Sequence, residues 1–197
     1  MDSLFNFLKL AALVLSTLGI CAVLNCYMKD RKFKVNALAN SFIITVVAVS
    51  LFMFGGISVW TVKGVLMALV LLYASVQDIS TRKADDSLWI MLLILSLVNF
   101  GEHSVLSMIL GGIVVFVPQL AIAIFSKNGG IGGADIKIST VAALCLGFVG
   151  GTLGYVIGLA FGIVFQLIYN KVKHRTYKKS FALLPFLSVG LMIGYFI

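Results

Sequence analysis

Long apolar blocks alternate with short polar clusters along this chain. A helix needs about 20 apolar residues to cross a hydrocarbon core of about 30 Å, and somewhat fewer inside a bundle. On that scale the pattern predicts helices over residues 4–27, 37–60, 62–77, 87–100, 104–125, 136–148, 151–169 and 181–197. The sixth and seventh share one apolar stretch. Fused from 138 to 169 they would be about 48 Å long at about 1.5 Å per residue, too long for one crossing. Gly150 and Gly151, in the middle, offer a turn.

The polar clusters set the orientation. With eight crossings, the loops on one side hold every Lys and Arg except Lys9 and Lys63. Those loops are residues 29–34, 82–83, 127–137 and 171–179. Basic loops stay on the cytoplasmic side, so both termini are expected outside. Fusing helices six and seven would throw the loop 170–180 to the outer side, against the charge pattern. The expected organisation is two N-terminal helices (1–61) with a short basic loop, then a six-helix core (62–197).

Composition fixes the class. The chain is 61% hydrophobic and 11% charged, whereas soluble domains are about half apolar and about a quarter charged. An all-α, polytopic transmembrane bundle is the expected fold. The net charge of +8 would suggest nucleic acid in a soluble protein; here it reads as loop charge beside membrane lipid. Cys21, Cys26 and Cys145 form no CxxC pair and read as small apolar residues. His103 and His174 are far apart, and no metal or cofactor is expected. The first apolar run lacks a basic flank and a small-residue cleavage site, and reads as a retained helix.

Seven acids remain: Asp2, Asp30, Asp78, Asp85, Asp86, Glu102 and Asp135. Asp85 and Asp86 stand where they would cap the fourth helix. Asp78 is different, because it follows "VLMALVLLYASVQ" at the end of an apolar helix. The helix dipole is negative there and disfavours a carboxylate. Asp135 closes the cluster "NGGIGGADIK", residues 128–137, at the same membrane face. Ionisable groups at such depth are candidate functional sites. Two carboxylates at one depth suit aspartyl peptidase chemistry, since like charges brought close share a proton. The ionised member would take a proton from attacking water, and the protonated member would donate one to the scissile carbonyl or amine. Gly132, Gly133 and Ala134 would leave room for an extended peptide. Lys137 would anchor the loop to headgroups or tune Asp135.

These residues resemble a known family. "GGAD", residues 132–135, followed by Ile136 and Lys137, resembles the GxGD-x-K signature of type IV prepilin peptidases. In that family a second Asp ends a helix and is followed, after five residues, by Ile/Leu-Pro-Asn/Asp. "QDISTRKADD" supplies Asp78, five residues, then Ala84, Asp85 and Asp86. Ala134 replaces the second Gly of the signature, and Ala84 and Asp85 replace the Ile/Leu-Pro pair. The resemblance covers about residues 62–197. The loop "MKDRKFKVN" stands where larger members carry a cysteine-bearing domain, so the chain is similar to the compact form.

The resemblance implies Asp78 and Asp135 as the catalytic pair, with Gly132, Gly133, Ala134 and Lys137 facing the substrate. It implies a prepilin or pilin-like precursor as substrate, cut at the cytoplasmic face after the Gly that ends a basic leader. It leaves N-methylation of the new terminus open. Two other readings stand beside it: a small ion- or proton-coupled transporter or channel subunit, and a presenilin-like protease with other substrates.

Overall fold

The computed structural model of the chain describes residues 2–99, 101, 103–125, 132–172 and 181–197. Among them the fold is all-helical. The helices are α1 (Asp2–Asp30), α2 (Ala37–Gly55), α3 (Val59–Thr81), α4 (Ser87–Leu97), α5 (Val105–Phe125), α6 (Gly133–Val172) and α7 (Leu184–Gly194). α1, α2, α3, α5 and α6 are long and apolar enough to cross a membrane, while α4 and α7 are apolar but only 11 residues each. Large side chains such as Phe42, Phe54 and Phe125 are exposed, as expected of a surface that lipid covers.

The join between α2 and α3 falls earlier than the apolar pattern suggested. Residues 37–60 were expected as one helix, but α2 stops at Gly55. Gly56 closes it with φ 59° and ψ −150°, a positive-φ conformation that glycine adopts without steric cost. Ser58 then caps α3, its hydroxyl accepting from the Thr61 backbone N–H at 3.2 Å. Lys63, expected one residue inside its helix, therefore lies in the second turn of α3 and is buried.

α3 is the central helix. Two thirds of its apolar window is buried, against 11% for α1 and 22% for α2. It packs on α2, α4 and α7. It also runs four residues beyond the expected end at 77, so Asp78 sits inside its last turn. Arg82 ends it in a left-handed conformation, its N–H on the Asp78 carbonyl.

α6 contains both of the segments expected at 136–148 and 151–169. It bends at Gly147 (φ 73°, ψ −175°) into two arms, not at Gly150 and Gly151. A Cβ on Gly151 would stand 2.6 Å from the Ala143 carbonyl oxygen, so the arms fold back on each other. Gly150 and Gly151 have another use. Together with Gly154 and Gly158 they let the second arm meet its neighbours at backbone distance: a Cβ on Gly154 would lie 2.8 Å from the Gly190 carbonyl oxygen of α7. Small residues at such spacing permit close helix packing where no hydrophobic effect drives association. α5 packs the same way on the first arm, with Gly111 against Gly147 and Ala143.

Candidate active site

Asp78 is buried at the end of α3, only 7% exposed. Its Oδ2 accepts from the backbone N–H of Leu184 at 3.1 Å. This resolves the difficulty of a carboxylate at a helix C-terminus. The start of α7 carries free N–H groups and a positive dipole end. Its own N-cap residue, Leu183, makes no side-chain cap. Asp78 supplies that cap from another helix.

Asp135 lies in the first turn of α6, where the dipole favours a negative charge. Its carboxylate turns back toward Gly132 and accepts from that backbone. A Cβ on Gly132 would stand 3.1 Å from Asp135 Oδ2. The backbone of this turn is tied down from behind. Ser139 Oγ donates to the Asp135 carbonyl at 2.6 Å, and Gln119 Nε2 of α5 donates to Ser139 Oγ at 2.8 Å. Ser139 and Gln119 are fully buried.

The two carboxyls come together electrostatically: the charge of Asp78 acts on Asp135. Yet α3 and α6 do not pack on each other; α4 and α7 each touch both. The two short helices thus join the helix that carries Asp78 to the helix that carries Asp135. Tyr155, buried on the second arm of α6, is within reach of the Asp135 charge.

Asp85 and Asp86 do not cap α4 as expected. Asp86 occupies the N-cap position but makes no cap hydrogen bond. It pairs instead with Lys137 of α6, Nζ to Oδ1 at 2.6 Å, with both side chains exposed. The Lys137 ammonium, by hydrogen bond and by charge, holds the Asp86 carboxyl below the ordinary carboxylate range. Lys137 is therefore a tether to the α3–α4 loop. Asp85 is clamped by the buried Gln77: its carboxylate accepts from Nε2 at 2.7 Å and its N–H donates to Oε1 at 2.9 Å. The loop is thereby fastened both to the helix that carries Asp78 and to the helix that carries Asp135.

The glycine stretch is more helical than expected. Gly133 and Ala134 are the first residues of α6, which starts three residues before the predicted 136. Gly133 faces open space: a Cβ there would meet nothing within 4 Å. Residues 128–131 and 173–180, with Lys127, Glu102 and His174, lie outside the described residues.

The model of the type IV leader peptidase family matches residues 65–168. That span is just over half of the chain and contains both Asp78 and Asp135. The chain belongs to the type IV leader peptidase family. Comparisons with curated proteins and with solved structures returned no match. Family membership makes the protein a peptidase of the prepilin peptidase type, with pilin-like precursors as the general substrate class. Its long apolar helices agree with a multi-pass membrane protein.

Sequence reasoning missed Gln77, Ser139, Gln119, Tyr155 and the Leu184 contact. Leu184 lies 106 residues from Asp78 and Gln119 lies 20 from Ser139, while Gln77 and Ser139 bond residues only eight and four positions away. The glycine run at 150, 154, 158 and 162 was open to reading, since its spacing of four is a packing signal.

Proposed function

We propose that this protein is an aspartyl endopeptidase of the prokaryotic cytoplasmic membrane. It removes the leader of type IV prepilins or pilin-like precursors at the cytoplasmic face, with Asp78 and Asp135 as the catalytic pair. The observation that carries the reading is that Asp78, buried at the end of α3, and Asp135, in the first turn of α6, lie near enough for the charge of one to act on the other. Family membership supports the peptidase class.

In this reading the pair holds one proton between two carboxyls. The ionised carboxylate takes a proton from water as its oxygen attacks the scissile carbonyl carbon. The protonated carboxyl gives its proton to the carbonyl oxygen, forming a tetrahedral diol. Collapse of the diol breaks the C–N bond, and the amine leaves with a proton from the carboxyl that received it. Neither carboxyl needs a metal to perform these transfers.

The surroundings fit these roles. Gly133, which faces open space, leaves room for an extended peptide near Asp135, with Gly132 and Ala134 on either side of it. The Lys137–Asp86 pair keeps the α3–α4 loop beside the start of α6. If the two arms of α6 and the short α4 and α7 all count as crossings, the chain crosses eight times in this reading, with both termini outside. The Asp pair then shares a face with the basic loops, where a basic leader begins in the cytoplasm. The Lys34 N–H bonded to Ser80 Oγ at 3.1 Å supports this, joining the first basic loop to the end of α3.

Co-expression with a type IV prepilin, followed by gel analysis of leader removal, tests the proposal. Wild-type protein is expected to shorten the precursor, and Asp78→Ala or Asp135→Ala to leave it intact. Normal cleavage by either variant would defeat the mechanism.

A further inference from the structure

α5 carries only two polar side chains, Ser107 and Gln119. Both bond α6, one at its bend and one near Asp135. Ser107 Oγ accepts from the Phe148 backbone N–H at 2.9 Å, just past the bend at Gly147. Gln119 Nε2 donates at 2.8 Å to the Oγ of Ser139, one helical turn after Asp135. The two fastenings stand about 18 Å apart along α5 at about 1.5 Å per residue. Between them Gly111 meets the Gly147 and Ala143 backbone. α5 thus lies along the first arm of α6 as a splint, pinned by hydrogen bonds at both ends.

The pin near Asp135 is buried. Gln119 and Ser139 are both 0% exposed, and polar groups out of reach of water are costly unless they are hydrogen-bonded. Both amide protons of Gln119 are used: one goes to Ser139 Oγ and the other to the Val115 carbonyl at 2.9 Å. Ser139 has one hydroxyl proton and three acceptors in reach. The Asp135 carbonyl stands at 2.6 Å, against 3.2 Å for Gln119 Oε1 and 3.4 Å for the Ile136 carbonyl. The shortest contact takes the proton. The outcome is a directed chain from Gln119 through Ser139 to the backbone of Asp135.

We propose that Gln119, acting through Ser139, is a positioning residue for Asp135: it holds the first turn of α6 so that the Asp135 carboxyl stays within reach of Asp78. The inference rests on the peptidase reading above and names a further residue that its chemistry needs. Ser139 by itself bonds only its own helix, as Ser side chains inside helices commonly do. Gln119 makes the difference, because it ties that turn to a second helix. α3 does not pack on α6, so the turn takes no direct support from the helix that carries Asp78.

The test uses the full-length protein reconstituted in membranes, with a type IV prepilin as substrate. Gln119→Leu and Ser139→Ala each break the chain. Both are expected to lower kcat per folded molecule about tenfold or more with KM unchanged, since a misplacement of about 1 Å can cost on the order of 10²-fold. Ser139→Thr keeps the hydroxyl and is expected to keep most of the activity. The double variant is expected to fall no further than Ser139→Ala, because the two residues act in series. Asn40→Leu is the control. It breaks another buried pair, Asn40 to Asn25 at 2.8 Å between α1 and α2, and is expected to leave kcat as in wild type. Amide hydrogen exchange over residues 133–139 is expected to quicken in Gln119→Leu and Ser139→Ala but not in Asn40→Leu. Should Ser139→Ala fail to fold, Gln119→Leu decides alone, as it leaves the Ser139–Asp135 bond in place. If the wild type cleaves and Gln119→Leu keeps its kcat, or Asn40→Leu loses as much, the positioning role is overturned and the peptidase reading stands. If the wild type does not cleave, the peptidase reading falls and the positioning role falls with it.

Discussion

The Asp78 carboxylate of α3 accepts from the Leu184 backbone N–H at 3.1 Å, so the last turn of one helix caps the first turn of another. Asp78 thereby has a structural role beside the proposed chemical one, and the two separate by substitution. Asp78→Asn keeps a side-chain oxygen for Leu184 and should retain stability while losing cleavage. Asp78→Ala should lose both, with about 1 kcal/mol of stability gone with the cap. Thermal unfolding in detergent, set beside leader cleavage by the same preparations, checks this.

Glycines at close contacts and at open positions should respond in opposite ways. Gly154→Val forces a side chain into the Gly190 backbone and should destabilise by about 1–3 kcal/mol or more. Gly133→Ala meets nothing within 4 Å and has no left-handed backbone to strain. It should unfold like wild type. Unfolding midpoints of the two variants in one detergent decide the point.

The Asp86–Lys137 pair should depend on charge. Because its partner lowers the Asp86 pKa, the contact is fully present above the ordinary aspartate value of about 3.9. It fades as pH falls through the lowered value. At neutral pH high salt should weaken it, since both side chains are exposed. Lys137→Glu should free the α3–α4 loop to protease, and the swap Asp86→Lys with Lys137→Glu should restore protection. Limited proteolysis of the three proteins measures this directly.

Much of this architecture was legible because membrane crossing imposes a length and a hydropathy that a sequence displays openly. The blocks at 4–27 and 104–125 match α1 and α5 within three residues at each end. Asp78 and Asp135 stood out because a carboxylate in apolar surroundings needs a reason. Features made by distant partners were hidden. Nothing near Asp78 in sequence announces Leu184, 106 residues away. The position of the α6 bend was misread because two adjacent glycines looked like a turn. Gly150 and Gly151 are instead consumed in packing, and the isolated Gly147 takes the left-handed conformation. Asp86 was assigned to its own helix because helix caps are local, whereas its partner Lys137 comes from another element.

The central claim is that Asp78 and Asp135 work as one unit. The most direct test is kcat for prepilin cleavage by purified, reconstituted wild-type protein, Asp78→Asn, Asp135→Asn and the double variant. Each single change should lower kcat by on the order of 10²–10⁴-fold, and the double variant should fall little further, as for groups that act together. A single variant that retains wild-type kcat, or losses that multiply in the double variant, would contradict the account.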